Sequence, residues 1–521
     1  MKVNFAPPID FPDLVFGLVG PIGVDLDYIQ TAIADALRSF NYKEELVRLT
    51  GLMLELKSDV TIDDTDMAKN YDSKIRYAND LRKKYGANDI LAALGIVAIK
   101  RLRSEKHSSE SRPTAYIIRQ LKTPEETRLL RAVFGRQYIQ VSIYGDPKKR
   151  EDYLVAQLKM RSRGTKDEKE ARKGAEALME RDSKEDEDYG QNISNAFPLG
   201  DVFVDSSNRE AATASIQRFI DALFGSNEIS PTREEYGMYL AKSASLRSND
   251  LSRQVGAAIF SATGEVISVG SNEVPKAGGG TYWTGDPLDS RDIRVGYDPN
   301  ELNKVEIFAE IVSRLLSDKF LSDELLDLKE AKAVVEKLLS KDDGRRYRDS
   351  RVMDIIEFGR IIHAEMSAIC DAARNGTSVR GATLYSTTFP CHLCAKHIVA
   401  SGIKRVVYLE PYPKSYAEKL HSDSIQIDDP SETNKVSFQP FMGISPFRYR
   451  DLFEKGKRKG SDGAAMKWKS DPRRPMIDVV VPPHYEAEAV VALRLAELIA
   501  KKEAEAAAKA EDGEDQLTGA N

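Results

Sequence analysis

The chain has 521 residues, 41% hydrophobic and 30% charged, with a net charge of −6 and only three cysteines. That length predicts two or three domains with real cores, and the charge excludes the basic excess of a general nucleic-acid binder, so stable nucleic-acid binding is not expected. No apolar run approaches the ~18 residues that span a bilayer, and "MKVNFAPPIDFPD" lacks the cationic segment of a secretory signal. Two cysteines three positions apart suit a reducing compartment and a metal site better than a disulfide framework, so a cytoplasmic protein without membrane contact is expected.

In chain order, "DLVFGLV" (Asp13–Val19) reads as a compact buried strand. It runs into the glycines of "FGLVGPIGVDLDY" and then a helical pattern, the layout of a phosphate-cradling loop. A Walker loop reads G-x-x-x-x-G-K-[ST]. Counted from Gly20, the second glycine becomes Asp25, the lysine becomes Leu26 and the hydroxyl residue becomes Asp27, with Gly23 inside the turn. Asp25 or Asp27 can cap the helix instead, and carboxylates there repel the phosphate that a helix N-terminus attracts. The expectation is a degenerate, kinase-like P-loop domain over 1–225 with a structural or sensing role.

"AYIIRQL" (Ala115–Leu121) is a second strand, followed by a helix that Thr123 caps, Pro124 opens and Gly135 stops. "YIQVSIY" (Tyr138–Tyr144) and "GDVFVD" (Gly200–Asp205) follow as strands, and the alternation implies a parallel sheet covered by helices. The charge run at 159–188 reads as a solvated helix, with a lid bearing Arg161 and Arg163 as the sharper reading. "GSNEISPTREE" (Gly225–Glu235) has linker composition. A second domain is placed over 235–482, opening with a hairpin around Thr263-Gly264. It carries a helical insertion at about 300–340, whose apolar residues fall on one face of each helix. The segment 485–521 reads as an Ala/Glu/Lys helix ending in a disordered "EDGEDQLTGAN".

The decisive motif is split between "HAEMSAIC", starting at His363, and "FPCHLCAKHI", with Pro390, Cys391 and Cys394. One imidazole and two thiolates suit Zn2+, and three protein ligands leave a fourth tetrahedral position open for water, the mark of a catalytic site. Such an ion lowers the pKa of its water from about 15.7 towards ~7. His363 and Glu365, two apart, can reach one site only from the first turn of a helix. Cys391 and Cys394 share a helix face. H-x-E followed by P-C-x-x-C is the signature of zinc nucleobase deaminases, in which the glutamate carries protons between water, N3 and the departing ammonia. Glu365 is therefore the candidate proton shuttle. Cys370 reads as a buried small hydrophobe, and His392 and His397 as bystanders.

"RSNDLSRQVGAAIF" (Arg247–Phe260), "GSNEVP" (Gly270–Pro275), "HAEMSAI", "LYSTTFPCHLCAKHI" and "EPYPKS" (Glu410–Ser415) occur in that order. Together they resemble deoxycytidylate deaminases over about 235–480. With the P-loop-like segment in front, the whole chain resembles the anti-phage dCTP deaminases of bacteria. The resemblance implies an α/β protein: a P-loop-like parallel-sheet domain, then a three-layer α/β/α cytidine deaminase-like domain. It implies conversion of dCTP to dUTP and of dCMP to dUMP, depleting the dCTP pool during infection. It also implies deoxycytidine nucleotides as partners, a homo-oligomer, and a nucleotide or phage-derived effector at the N-terminal domain.

By position, the resemblance gives Asn272 to the sugar 3′-hydroxyl, against an ordinary turn asparagine. It gives Tyr412 to a loop closing beside the phosphate, Thr387 and Thr388 to the base edge, and Arg247 and Arg253 to phosphate. Lys414 stands where these enzymes commonly carry an acid, and Arg253 where they carry serine. The extra positive charge suits a longer phosphate chain, so a triphosphate preference is expected. The rivals are a housekeeping dCMP deaminase, a polynucleotide cytidine or adenosine deaminase, and a nucleotide sensor with a relic zinc site. The net charge opposes the polynucleotide reading.

Overall fold

The structure is a computed structural model and describes residues 9–105, 112–161, 167–183, 185, 189–340, 345–348, 350–412, 415–428, 434–477, 479 and 484–518, of which 161, 345–346 and 509–518 by backbone alone. The chain forms two compact units: Met1–Glu235 with Met442–Asn521, and Tyr236–Phe441. The expected α/β class holds, with a parallel-dominated sheet in each.

In the first unit, β1 (Leu14–Val19), β2 (Lys43–Arg48), β3 (Thr114–Leu121), β4 (Tyr138–Tyr144) and β5 (Val202–Asp205) lie parallel in the order β5-β4-β1-β3-β2. Side chains alternate across β1. Leu14, Phe16 and Leu18 enter one core with the Leu26–Arg38 and Arg209–Leu223 helices, while Val15 and Val19 enter another with the Ile90–Ser104 helix. A strand buried on both faces reads as an unbroken apolar run, which is why β1, β3 and β4 are visible in the sequence. The edge strand β2, "KEELVR", is charged and half-exposed and carries no such run. The predicted Thr123 cap is a full capping box, with the Glu126 carboxylate accepting the Thr123 N–H.

The second unit holds β6 (Gly256–Phe260), β7 (Val266–Ser271), β8 (Thr383–Thr388), β9 (Arg405–Glu410), β10 (Ile425–Ile427) and β11 (Val436–Pro440), in the order β10-β11-β9-β8-β6-β7. The β6–β7 hairpin is antiparallel and turns at Gly264, φ +103°. From β8 onward the strands run parallel. Ala257, Ile259, Leu384 and Val406 pack against the Ala364–Arg374 and His392–Ala400 helices on one face. Tyr236 meets Phe260 edge-on, and Phe260 meets Tyr385, on the other. Three layers result. Gly270 permits a close approach, because a Cβ there would lie 2.3 Å from Ala364 O and 2.5 Å from Ala368 N. The insertion forms the Pro299–Ser317 and Ala331–Leu338 helices, closed on a small core of Val312, Val334 and Val335.

The boundary expected near 482 differs from the structure, in which residues 442–477 belong to the first unit. There β12 (Gly443–Ile444) adds antiparallel to β5. Asp201 accepts Arg448 Nε at 3.0 Å, Arg131 at 3.0 Å and Gln140 N–H at 2.7 Å, and all of Asp201, Arg448 and Gln140 are buried. Ile477 and Val479 complete the first core. The return is held by a buried ion pair and short apolar segments, which give no long periodic signal. The His484–Thr518 helix supplies Val491 and Leu495 to the second core. It includes most of the tail expected to be unstructured, its backbone continuing the helix through residue 518. No described helix is long and apolar enough to cross a membrane.

Candidate metal centre and active site

Two helix N-termini create the centre. His363 is the N-cap of the Ala364–Arg374 helix and Cys391 that of the His392–Ala400 helix, both extended in backbone, with Cys394 in the first turn of the latter. His363 Nδ1 lies 3.3 Å from Cys391 Sγ and 3.4 Å from Cys394 Sγ, and one ligand atom from each residue falls within 4.8 Å of the others. A tetrahedral zinc ion with nitrogen at ~2.05 Å and sulfur at ~2.3 Å sets these ligands about 3.5 Å apart, so the triad fits zinc. Helix N-termini favour anionic sulfur. The Cys391 thiol is pulled down to about 4, first by the hydrogen bond from Cys394 and, against burial, by His363.

Glu365 follows at the second helical position, 3% exposed. Ser386 Oγ donates to its Oε1 at 3.1 Å and the Cys394 thiol to its Oε2 at 3.5 Å. Burial raises its pKa, with the positive field of His363 opposing. A carboxyl held above its ordinary range accepts and returns protons nearer neutral pH. His363, Glu365 and Cys391 line a cavity of about 220 Å3, together with Asp250, Arg253, Asn272, Thr388 and Tyr412.

The structure places Asn272, Arg253 and Tyr412 at this cavity, with the Arg253 guanidinium 5.1 Å from the Tyr412 ring centre. Asn272 also holds the loop. Its amide donates to Asp250 at 2.6 Å and to Arg253 O at 2.8 Å, and its oxygen accepts the Val255 N–H at 2.7 Å. That oxygen keeps one further lone pair.

Two expected residues do not line the cavity. Thr387 turns its hydroxyl to the Gly256 N–H at 3.0 Å, leaving Thr388 as the lining threonine. Arg247 donates to the carbonyls of Thr281 and Tyr282 and stacks 3.6 Å from the Trp283 ring centre, so its head is committed to a loop. Lys414, Arg163 and the side chain of Arg161 lie outside the described residues. Cys370, expected in the core, is exposed, because it falls on the outer face of its helix.

Sequence reasoning missed Ser386, Asn300 and Arg360. Ser386 had a signal: a hydroxyl inside the buried strand "TLYSTT" needs a partner. Asn300 and Arg360 also line the cavity. Asn300 donates to Ile355 O at 2.8 Å and accepts the Phe358 N–H at 3.2 Å, so the first turn of the insertion shapes the cavity wall. Nothing local in the sequence announces that contact.

Residues 231–410 match the family described as "Cytidine and deoxycytidylate deaminase zinc-binding region". That stretch holds every residue of the zinc triad and Glu365. The deoxycytidylate deaminase of Enterobacteria phage T2 is 44% identical over 85 residues, 16% of this chain and 45% of that protein. That of phage T4 is 59% identical over 54 residues, 10% and 28% of the two chains. The human deoxycytidylate deaminase is 43% identical over 49 residues, 9% and 26%. The chain thus spans less than half the length of these relatives. The dCMP deaminase of cyanophage S-TIM5, solved with dCMP and dUMP, aligns with 41% of this chain and 99% of its own at 17% identity and a TM-score of 0.22.

Proposed function

We propose that the chain is a zinc-dependent deaminase of deoxycytidine nucleotides, converting dCMP to dUMP and dCTP to dUTP, and that lowering the dCTP pool in anti-phage defence is its role. The observation that carries the chemistry is the His363, Cys391 and Cys394 triad beside a buried Glu365 at a cavity. A zinc ion bound by the triad supplies an acidified water. Glu365 takes a proton from the attacking water and delivers one to N3 of the base as the C4–O bond forms. It then takes the proton of the new C4 hydroxyl and passes it to the exocyclic nitrogen, so that the C4=O bond forms as the C4–N bond breaks and ammonia leaves. Ser386 fixes the carboxylate through Oε1. Thr388 and Asn272 line the walls for base and sugar, and Arg253, backed by Tyr412, is the cation for phosphate.

The likeness to deoxycytidylate deaminases favours the monophosphate as substrate. The support for the triphosphate is Arg253 at the cavity, with Lys414 two residues beyond Tyr412 in the sequence. Ammonia release from dCMP, dCTP, cytidine, single-stranded DNA and tRNA separates the readings. The proposal expects turnover of the free deoxynucleotides alone, with dCTP preferred and the preference reduced by Lys414→Asp. Turnover of polynucleotide but not of dCMP or dCTP overturns it, and an unchanged dCTP/dCMP ratio in Lys414→Asp removes the triphosphate argument.

A further inference from the structure

The glycine turn after β1 already holds an anion, and that anion is the protein's own. Asp182, near the end of the Glu168–Ser183 helix, is 2% exposed. Its Oδ2 accepts the Ile22 N–H at 2.6 Å and its Oδ1 accepts the Lys122 ammonium at 2.7 Å. Lys122 also donates to Gly20 O at 3.1 Å, and Arg150 Nε donates to Ile22 O at 2.9 Å. A main-chain N–H of a glycine turn and a lysine ammonium are the donors with which such loops cradle phosphate. The lysine absent from the loop's sequence is supplied in space by the residue after β3. Asp25 fills the neighbouring position, capping the Leu26–Arg38 helix by accepting the Tyr28 N–H at 3.0 Å.

The turn borders a cavity of about 430 Å3 that also reaches Arg48, Lys74 and Arg82. Arg82 is fully buried; its terminal nitrogens are spent on Asn79 and Glu126, while Nε has no partner among the described residues. This nucleotide-sized cavity is lined by cationic side chains, one with an unpartnered guanidinium nitrogen, as well as by the loop carboxylates Asp25 and Asp27 and by Asp182. Its loop end is closed by a carboxylate.

We propose that this turn is a phosphoryl-oxyanion site that Asp182 fills from within. Two anions cannot share the Lys122 ammonium and the Ile22 N–H without strong repulsion. Phosphate therefore enters only where the carboxylate is neutralised or withdrawn, and withdrawing it frees the end of the Glu168–Ser183 helix from the turn. This site is separate from the zinc centre, and its test does not depend on deamination.

The probe is inorganic pyrophosphate, titrated calorimetrically into the full chain. Asp182→Asn keeps the side-chain shape and an acceptor for Ile22; Asp182→Ser leaves space instead. Each is expected to bind pyrophosphate at least tenfold more tightly than wild type. Adding Lys122→Ala to either is expected to erase the gain, which locates it at the turn rather than at the zinc cavity. Wild-type affinity in both variants, or a gain that survives the loss of Lys122, overturns the proposal.

Discussion

The glycine turn of the first unit and the zinc centre of the second use the same device with different neutralising partners. Each sets a helix N-terminus beyond the carboxyl end of a parallel strand, where unpaired N–H groups attract negative charge. In the first unit that charge comes from carboxylates: Asp25 caps the helix, and Asp182 reaches in from a distant helix to the turn. Internal cations, Lys122 on Asp182 and Arg209 on Asp25, then complete the pairs. In the second unit the N-cap side chains are His363 and Cys391, whose donors point at one another across 3.3 Å and leave a place for a cation. The strand–turn–helix geometry is common to both. The residue at the N-cap, and what neutralises it, decides whether the place is closed or chemically active.

The largest expected effect sharpens the second half of that contrast. Cys391→Ser, or dialysis against a chelator, is expected to abolish zinc content measured by mass spectrometry and deamination together. Equivalent changes at Asp25 should leave bound zinc unaltered. Glu365→Gln should retain zinc and lose about 10²–10⁴-fold in kcat, the usual worth of a positioned acid–base group. A Ser386→Ala variant, read by the same assay, should lose less, since Ser386 acts on the carboxylate and not on substrate.

Structural tests come next in size. Asp201→Ala strands the buried Arg448 and is expected to cost about 3–5 kcal/mol, lowering the thermal midpoint. Gly270→Ala forces a Cβ against the backbone of the zinc-site helix. Overpacking of this kind costs about 1–3 kcal/mol, and kcat should fall along with the midpoint because His363 and Glu365 start that helix. The smallest effect concerns acid. Burial, with Arg103 adding to it, pushes His484 down to about 4. A histidine kept neutral in the folded state contributes stability that is present above its ordinary value near 6.5 and is lost as pH falls from there through 4. Melting curves across that window should be steeper in pH for wild type than for His484→Gln.

Much of this is legible in the sequence. β1, β3 and β4 announce themselves because both faces are buried, and the metal triad because imidazole and thiol at helix starts have few other uses. Position alone could not say which threonine faces the cavity. Thr387 and Thr388 are adjacent in a strand, so their side chains point to opposite sides, and only the pairing of β8 with β6 assigns them. Arg247 was indistinguishable from a phosphate ligand until Trp283 and two carbonyls claimed it. The sequence of the glycine loop shows that its own lysine is gone. That Lys122 and Asp182 fill the place, from 102 and 160 residues away, is a tertiary fact with no local trace.

The proposed activity is deamination of free deoxycytidine nucleotides by the His363, Cys391 and Cys394 centre with Glu365. Its most direct test is to incubate the purified, zinc-loaded full chain with dCMP and dCTP and separate the products by chromatography, beside Glu365→Gln with matched zinc content. Wild type should give dUMP and dUTP with equimolar ammonia, and the variant almost none. Undiminished product from Glu365→Gln, or no deoxyuridine nucleotide from a zinc-replete wild type, would contradict it.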